Sequence, residues 1–123
     1  MSEQIKVAKI YLDMINQVFE IEKKAAGLRE PNSIQRNVNR LREMIEQDLL
    51  PAAAEGQHGF IYHNPLGENY NITRTDCEAS IAGESTENLV ITEVIKPIIR
   101  YCNGPVNIIV QKAVVVVKSK GSL

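Results

Sequence analysis

The chain has 123 residues, with 14 Lys and Arg set against 15 Asp and Glu for a net charge of -1, shared evenly between its halves. Apolar residues at 44% and charged residues at 24% belong to a chain that folds, with room for one folding unit or two small sub-domains that depend on each other. Even charge, aromatics at only 5% and no Trp exclude a basic, base-stacking nucleic-acid surface.

Met1 is followed by Ser-Glu-Gln rather than a basic segment with an apolar core, and no apolar run reaches the ~18 residues that span a bilayer. The expectation is a cytoplasmic protein with no membrane partner. Cys77 and Cys102 make no disulfide framework and read as free thiols.

From Ile5 to Leu28, Val7, Tyr11, Met14, Val18, Ile21, Ala25 and Leu28 recur at alternating steps of four and three, which predicts a helix with a heptad seam. A second stripe of Ala8, Leu12, Ile15 and Phe19 lies beside the first. At ~100° per residue the two cover roughly 220° of the circumference, more than one neighbouring helix hides. Gly27, Pro31 and an N-cap at Asn32 or Ser33 end this helix and start the next. The second helix carries Ile34, Val38, Leu41, Ile45 and Leu49 on one stripe and ends at Pro51 or in a short turn closed by Gly56.

Past Gly56 the composition turns to Gly, Pro, Asn, Thr and β-branched residues. Strands are predicted at Gly59–His63, Asn88–Ile95, Val106–Gln111 and Ala113–Lys118, with turns at "NPLGEN" and "CNGP". Asp76–Ala82 fits a short helix or a strand. The unbroken Ala113–Val117 run predicts a strand covered on both faces. The fold class expected is therefore α+β: an antiparallel helical hairpin over 1–56 that pairs with a second copy as a dimeric four-helix bundle, followed by a small, mostly antiparallel β domain over 57–123. Val7, Tyr11, Met14, Val18 and Ile21 are the expected dimerisation seam.

No catalytic set is legible. His58, His63, Cys77 and Cys102 lack zinc-ligand spacing beyond a single His58/His63 coincidence. Neither thiol sits in a nucleophile motif, "AGES" lacks the Lys of a phosphate-binding loop, and Asp76, Glu78, Glu84 and Glu87 read as a solvated loop. The expectation is a binding protein with no metal and no cofactor.

The stretch "GENYNITRTDCEAS" carries a family likeness: Gly67, Glu68, Tyr70 and Asn71 are similar to a G-E-x-F-D turn, and Glu78-Ala79 to an H-E-A element with Cys77 in place of His. Asn88, Val90 and Val94 resemble the strand that follows, and "QKAVVVVKSK" resembles a closing R-P-A-x-V-x-V strand. With "YLDMINQVFEIEKKA" and Ser33–Gln47 similar to the bundle helices, most of residues 8–118 resemble a short GrpE, the nucleotide exchange factor of DnaK-type chaperones. The sequence opens almost at the bundle, without the long N-terminal paired helix typical of the family, and "KPIIRYCNGP" replaces the family's K-G-Y-x-L-x-G-R hairpin.

The resemblance implies a homodimer whose β domain binds the nucleotide-binding domain of a DnaK-type chaperone and promotes ADP release. By position, the resemblance assigns partner contact to Val94, Lys96, Pro97, Arg100, Asn103 and Gly104. The replaced hairpin raises an alternative, a GrpE-like adaptor or scaffold that keeps the architecture without exchange activity.

Overall fold

The computed structural model describes residues 8–28, 33–49 and 58–122. It is α+β, with two helices followed by mostly antiparallel strands. Helix α1 spans Lys9–Ala26 and α2 spans Ser33–Gln47. Strands follow in chain order: β1 His58–His63, β2 Asn69–Tyr70, β3 Cys77–Ile81, β4 Leu89–Lys96, β5 Ile98–Asn103, β6 Val106–Gln111 and β7 Ala113–Ser119. Two units are distinguished by their internal contacts: one of Met1–Ile61 with Arg100–Val110, the other of Tyr62–Ile99 with Gln111–Leu123.

In the first unit α1 and α2 run antiparallel, and a cross-helix ion pair between Arg42 and Glu22 at 3.5 Å marks their register. Lys23 and Lys24 in the last turn of α1 complement the carbonyl end of its dipole. The core of this unit is built from Ile15, Phe19, Val38, Ile45, Phe60 and Cys102, all buried. Phe60 of β1 stacks obliquely between Tyr11 and Tyr101, with ring centroids 5.5 and 5.7 Å away. Gly59 is required here: its φ is +149°, and a Cβ would sit 2.8 Å from the Ile45 carbonyl oxygen and collide with the Glu46 carbonyl. β1 thus approaches the last turn of α2 at backbone distance.

The second unit is organised on a four-stranded sheet in the order β2-β4-β7-β3. β4 pairs with β7 antiparallel and β3 pairs with β7 in parallel, Cys77 opposite Ala113 and Ile81 opposite Val117. β7 is therefore an interior strand, hydrogen-bonded on both edges. Ala113, Val115 and Val117 are fully buried, while Val114 and Val116 are half-buried, so one face is enclosed and the other is partly covered. The β-branched run reflects that coverage. β4 loses simple alternation because its register slips at Thr92 and again at Ile95, and the Thr92 hydroxyl donates to the Val116 carbonyl at 3.3 Å across the first slip.

A separate three-stranded sheet has the order β1-β5-β6. Asp76–Ala82, open between helix and strand on sequence grounds, contains β3. Ile98–Asn103 forms a strand absent from the predicted strands, its last two residues overlapping the expected "CNGP" turn. "NPLGEN" does turn, through Gly67 at φ +83° and a hydrogen bond from Glu68 N–H to the Pro65 carbonyl at 3.1 Å.

Candidate interaction surface

The helical hairpin leaves an open apolar groove of about 630 Å³ between its helices. Met14, Val18 and Ile10 line it from α1, and Leu41, Met44 and Ile45 from α2. Val18 and Ile45 form a buried floor, whereas Ile10, Met14 and Met44 are 60%, 42% and 42% exposed on the walls. Such exposure of adjoining large apolar side chains on one face is the surface signature of a binding site. Asp13 and Asp48 sit at one end of the groove, and a second depression sharing Leu41 and Met44 carries the lining on to Arg36 and Arg40.

The expected seam residues divide. Val7 lies outside the described residues. Met14 and Val18 face the groove, Ile21 is exposed on α1, and Tyr11 is half-buried against Phe60 of its own chain. From the second stripe Ile15 and Phe19 are fully buried, Leu12 is half-buried and Ala8 is exposed, while Val18 and Ala25 of the first stripe are buried as well. Sequence reasoning missed Ile10 and Met44 as groove residues, since neither falls on the stripes that spacing picks out. Their signal was being large apolar side chains just off those stripes.

The six residues assigned to partner contact fall in two groups. In the second unit, Val94 and Pro97 are buried and Lys96 is exposed at the end of β4. The Pro97 carbonyl accepts from the Gln111 side-chain amide at 3.0 Å. In the first unit, Arg100, Asn103 and Gly104 belong to the β5–β6 hairpin, which turns through Gly104 at φ +59°. Arg100 donates to the Asn107 side-chain oxygen at 3.4 Å, and the Asn103 amide donates to the Tyr101 hydroxyl at 3.1 Å. Asn103 Oδ1 is enclosed and accepts no hydrogen bond among the described residues.

The segment that carries the family likeness is held by Arg74. Its guanidinium reaches Asp76 at 2.6 Å, Glu68 at 2.7 Å and the Asn69 carbonyl at 3.0 Å, and Glu68 also meets His63 at 2.5 Å. The Arg74 hydrogen bond holds the Asp76 carboxyl below the usual carboxylate range against the opposing effect of burial. For Glu68, burial pushes the carboxyl up, but Arg74 and His63 together outweigh it and the net shift is down. Arg74 and the two carboxylates neutralise one another and fix the loop.

Burial pushes the Cys77 thiol up to about 11 and raises that of Cys102, so both stay protonated and unreactive. Among the described residues, no three His, Cys, Asp or Glu side chains converge as metal ligands, and no helix is long and apolar enough to cross a membrane. Comparison with protein-family models, curated proteins and solved structures yields no match to this chain.

Proposed function

We propose that this chain is a protein-interaction module without covalent chemistry: a GrpE-like co-chaperone that pairs through its helical hairpin and engages the nucleotide-binding domain of a DnaK-type chaperone. The observation that carries the interaction reading is the groove between α1 and α2, whose exposed Ile10, Met14 and Met44 leave apolar area unburied in the single chain. A second copy is the occupant, since the hairpin ends carry opposite charges and the same apolar face supplies both halves of a four-helix bundle.

The chaperone half of the reading rests on the likeness at Gly67–Asn71, Glu78-Ala79 and Ala113–Val117. An exchange factor of this kind binds the open form of the nucleotide-binding domain better than the closed form, so ADP leaves with no bond made or broken. Release of labelled ADP from a DnaK-type chaperone should accelerate as this protein is added, and the charge reversals Lys96→Glu and Arg100→Glu should diminish the effect. An unchanged release rate at saturating protein removes the exchange function.

A second reading, an adaptor or scaffold that has lost exchange activity, is favoured by one observation. Val94 and Pro97, two of the six residues assigned to the partner, are enclosed and have no surface to offer. Chaperone binding in a titration without faster ADP release supports this adaptor over the exchange factor.

A further inference from the structure

We infer that the outer edge of β3 is a docking site for an extended segment of another protein, one that alternates apolar residues with Lys or Arg and adds to the sheet as a further strand.

The Asp76 carbonyl accepts from the Ala113 N–H at 2.9 Å and the Ala82 N–H donates to the Val117 carbonyl at 2.8 Å, and between them the parallel register runs unbroken from Cys77 opposite Ala113 to Ile81 opposite Val117. In such a ladder the N–H and C=O of one residue point to one side and those of the next residue to the other. Glu78 and Ser80 therefore direct theirs to β7, while those of Ala79 and Ile81 point outward. Among the described residues β3 is the last strand of its sheet, so no strand takes these groups up.

Sheets blunt a free edge with shortness, Lys, Pro or a bulge. The opposite edge of this sheet follows that rule, since β2 is only the two residues Asn69–Tyr70. β3 does not: it keeps five residues in register, with no Lys, no Pro and no slip. Ala79 and Ile81 share a face with the buried Val115 and Val117, and Ile81 is 44% exposed, so the enclosed apolar face runs out to an open margin. An added strand covers that margin. Glu78 and Ser80 are exposed on the other face.

Charge decides between occupants. Residues 77–87 contain Glu78, Glu84 and Glu87 and no Lys or Arg, and Asp76 before them is already paired with Arg74 at 2.6 Å. A second copy adding through the same edge would bring two acidic strands together, and like charges on neighbouring strands are destabilising. A segment with Lys or Arg on the Glu78 face and apolar residues on the Ile81 face fits both sides. Main-chain bonds to Ala79 and Ile81 then give affinity, and the alternating side chains give selectivity.

The test titrates the intact, isotope-labelled chain with the capped peptide Val-Lys-Val-Lys-Val-Lys-Val and with its Val-Glu counterpart, following backbone amides by NMR. At about ten times its Kd the lysine peptide should slow amide exchange at Ala79 and Ile81 about tenfold. It should bind about threefold or more tighter than the glutamate peptide, and Glu78→Lys, at an exposed position, should remove that preference. N-methylation of the valines or of the lysines should abolish binding in one case and spare it in the other, because only one alternate set of peptide amides faces β3. No binding at millimolar peptide, or binding without protection at Ala79 and Ile81, overturns the site. Equal loss from both N-methylated peptides overturns strand addition. Equal affinity for the two charged peptides, or a lysine preference that survives Glu78→Lys, overturns the basic partner.

Discussion

Arg74 is the residue on which the 63–77 segment depends, because one guanidinium bonds two carboxylates and a backbone carbonyl while only 18% of its side chain is exposed. Arg74→Met leaves Glu68 and Asp76 half-buried without that partner, and should cost about 2 kcal/mol at neutral pH. The sign of the pH dependence follows from Asp76: its folded-state carboxyl lies below the unfolded value, so its stabilisation is complete above about pH 4 and is lost as pH falls through the depressed value. Denaturant titrations of both proteins should therefore show the largest gap at pH 7 and a smaller one near pH 3; a gap that widens on acidification contradicts the network. The thiols give a second check. With burial holding both protonated, Cys77 and Cys102 should resist alkylation at pH 8 in the native protein and react promptly once it is unfolded. Nothing in the sequence spacing reveals that Arg74 folds back on Glu68.

At the scale of elements, Gly59 joins α2 to β1 at a separation that excludes any side chain. Gly59→Ala puts a methyl group into the Ile45 and Glu46 carbonyls at a φ unfavourable to L residues, and should lower the melting temperature sharply, at a cost of about 3 kcal/mol or more. A neutral effect would mean that β1 does not approach α2 this closely. The two helices were legible from periodicity, since a stripe at 3.6-residue spacing survives whatever packs on it. The β-branched run of β7 was legible for the same reason, its composition recording burial on an interior strand. β5 was not. Pro97 before it and the "CNGP" turn overlapping its end look like turn chemistry, and its buried Ile98, Ile99 and Cys102 do not alternate. β4 hides its period too, because the slips at Thr92 and Ile95 invert which face the following residues occupy. Of the heptad positions on α1, Met14 and Val18 line the groove, Ile21 is exposed and Tyr11 packs on Phe60. A wide apolar arc does not say which half faces its own chain, and here Ile15 and Phe19 turn inward while Met14 is left on the surface.

For the whole molecule, the central claim is that the face between α1 and α2 is made for another copy of this chain. Among the described residues, seven of the eleven exposed large apolar side chains belong to α1, α2 or Leu28 just beyond α1, which makes this hairpin the apolar surface most in need of cover. The direct measurement is the solution mass by light scattering of the natural chain and of Met14→Asp. Met14 is on the groove wall, so the change should spare the fold of the single chain and act only on pairing. The account predicts twice the chain mass for the natural protein and a folded single-chain mass for the variant. A natural protein that runs as a folded single chain at working concentration, or a variant that stays paired, would contradict it.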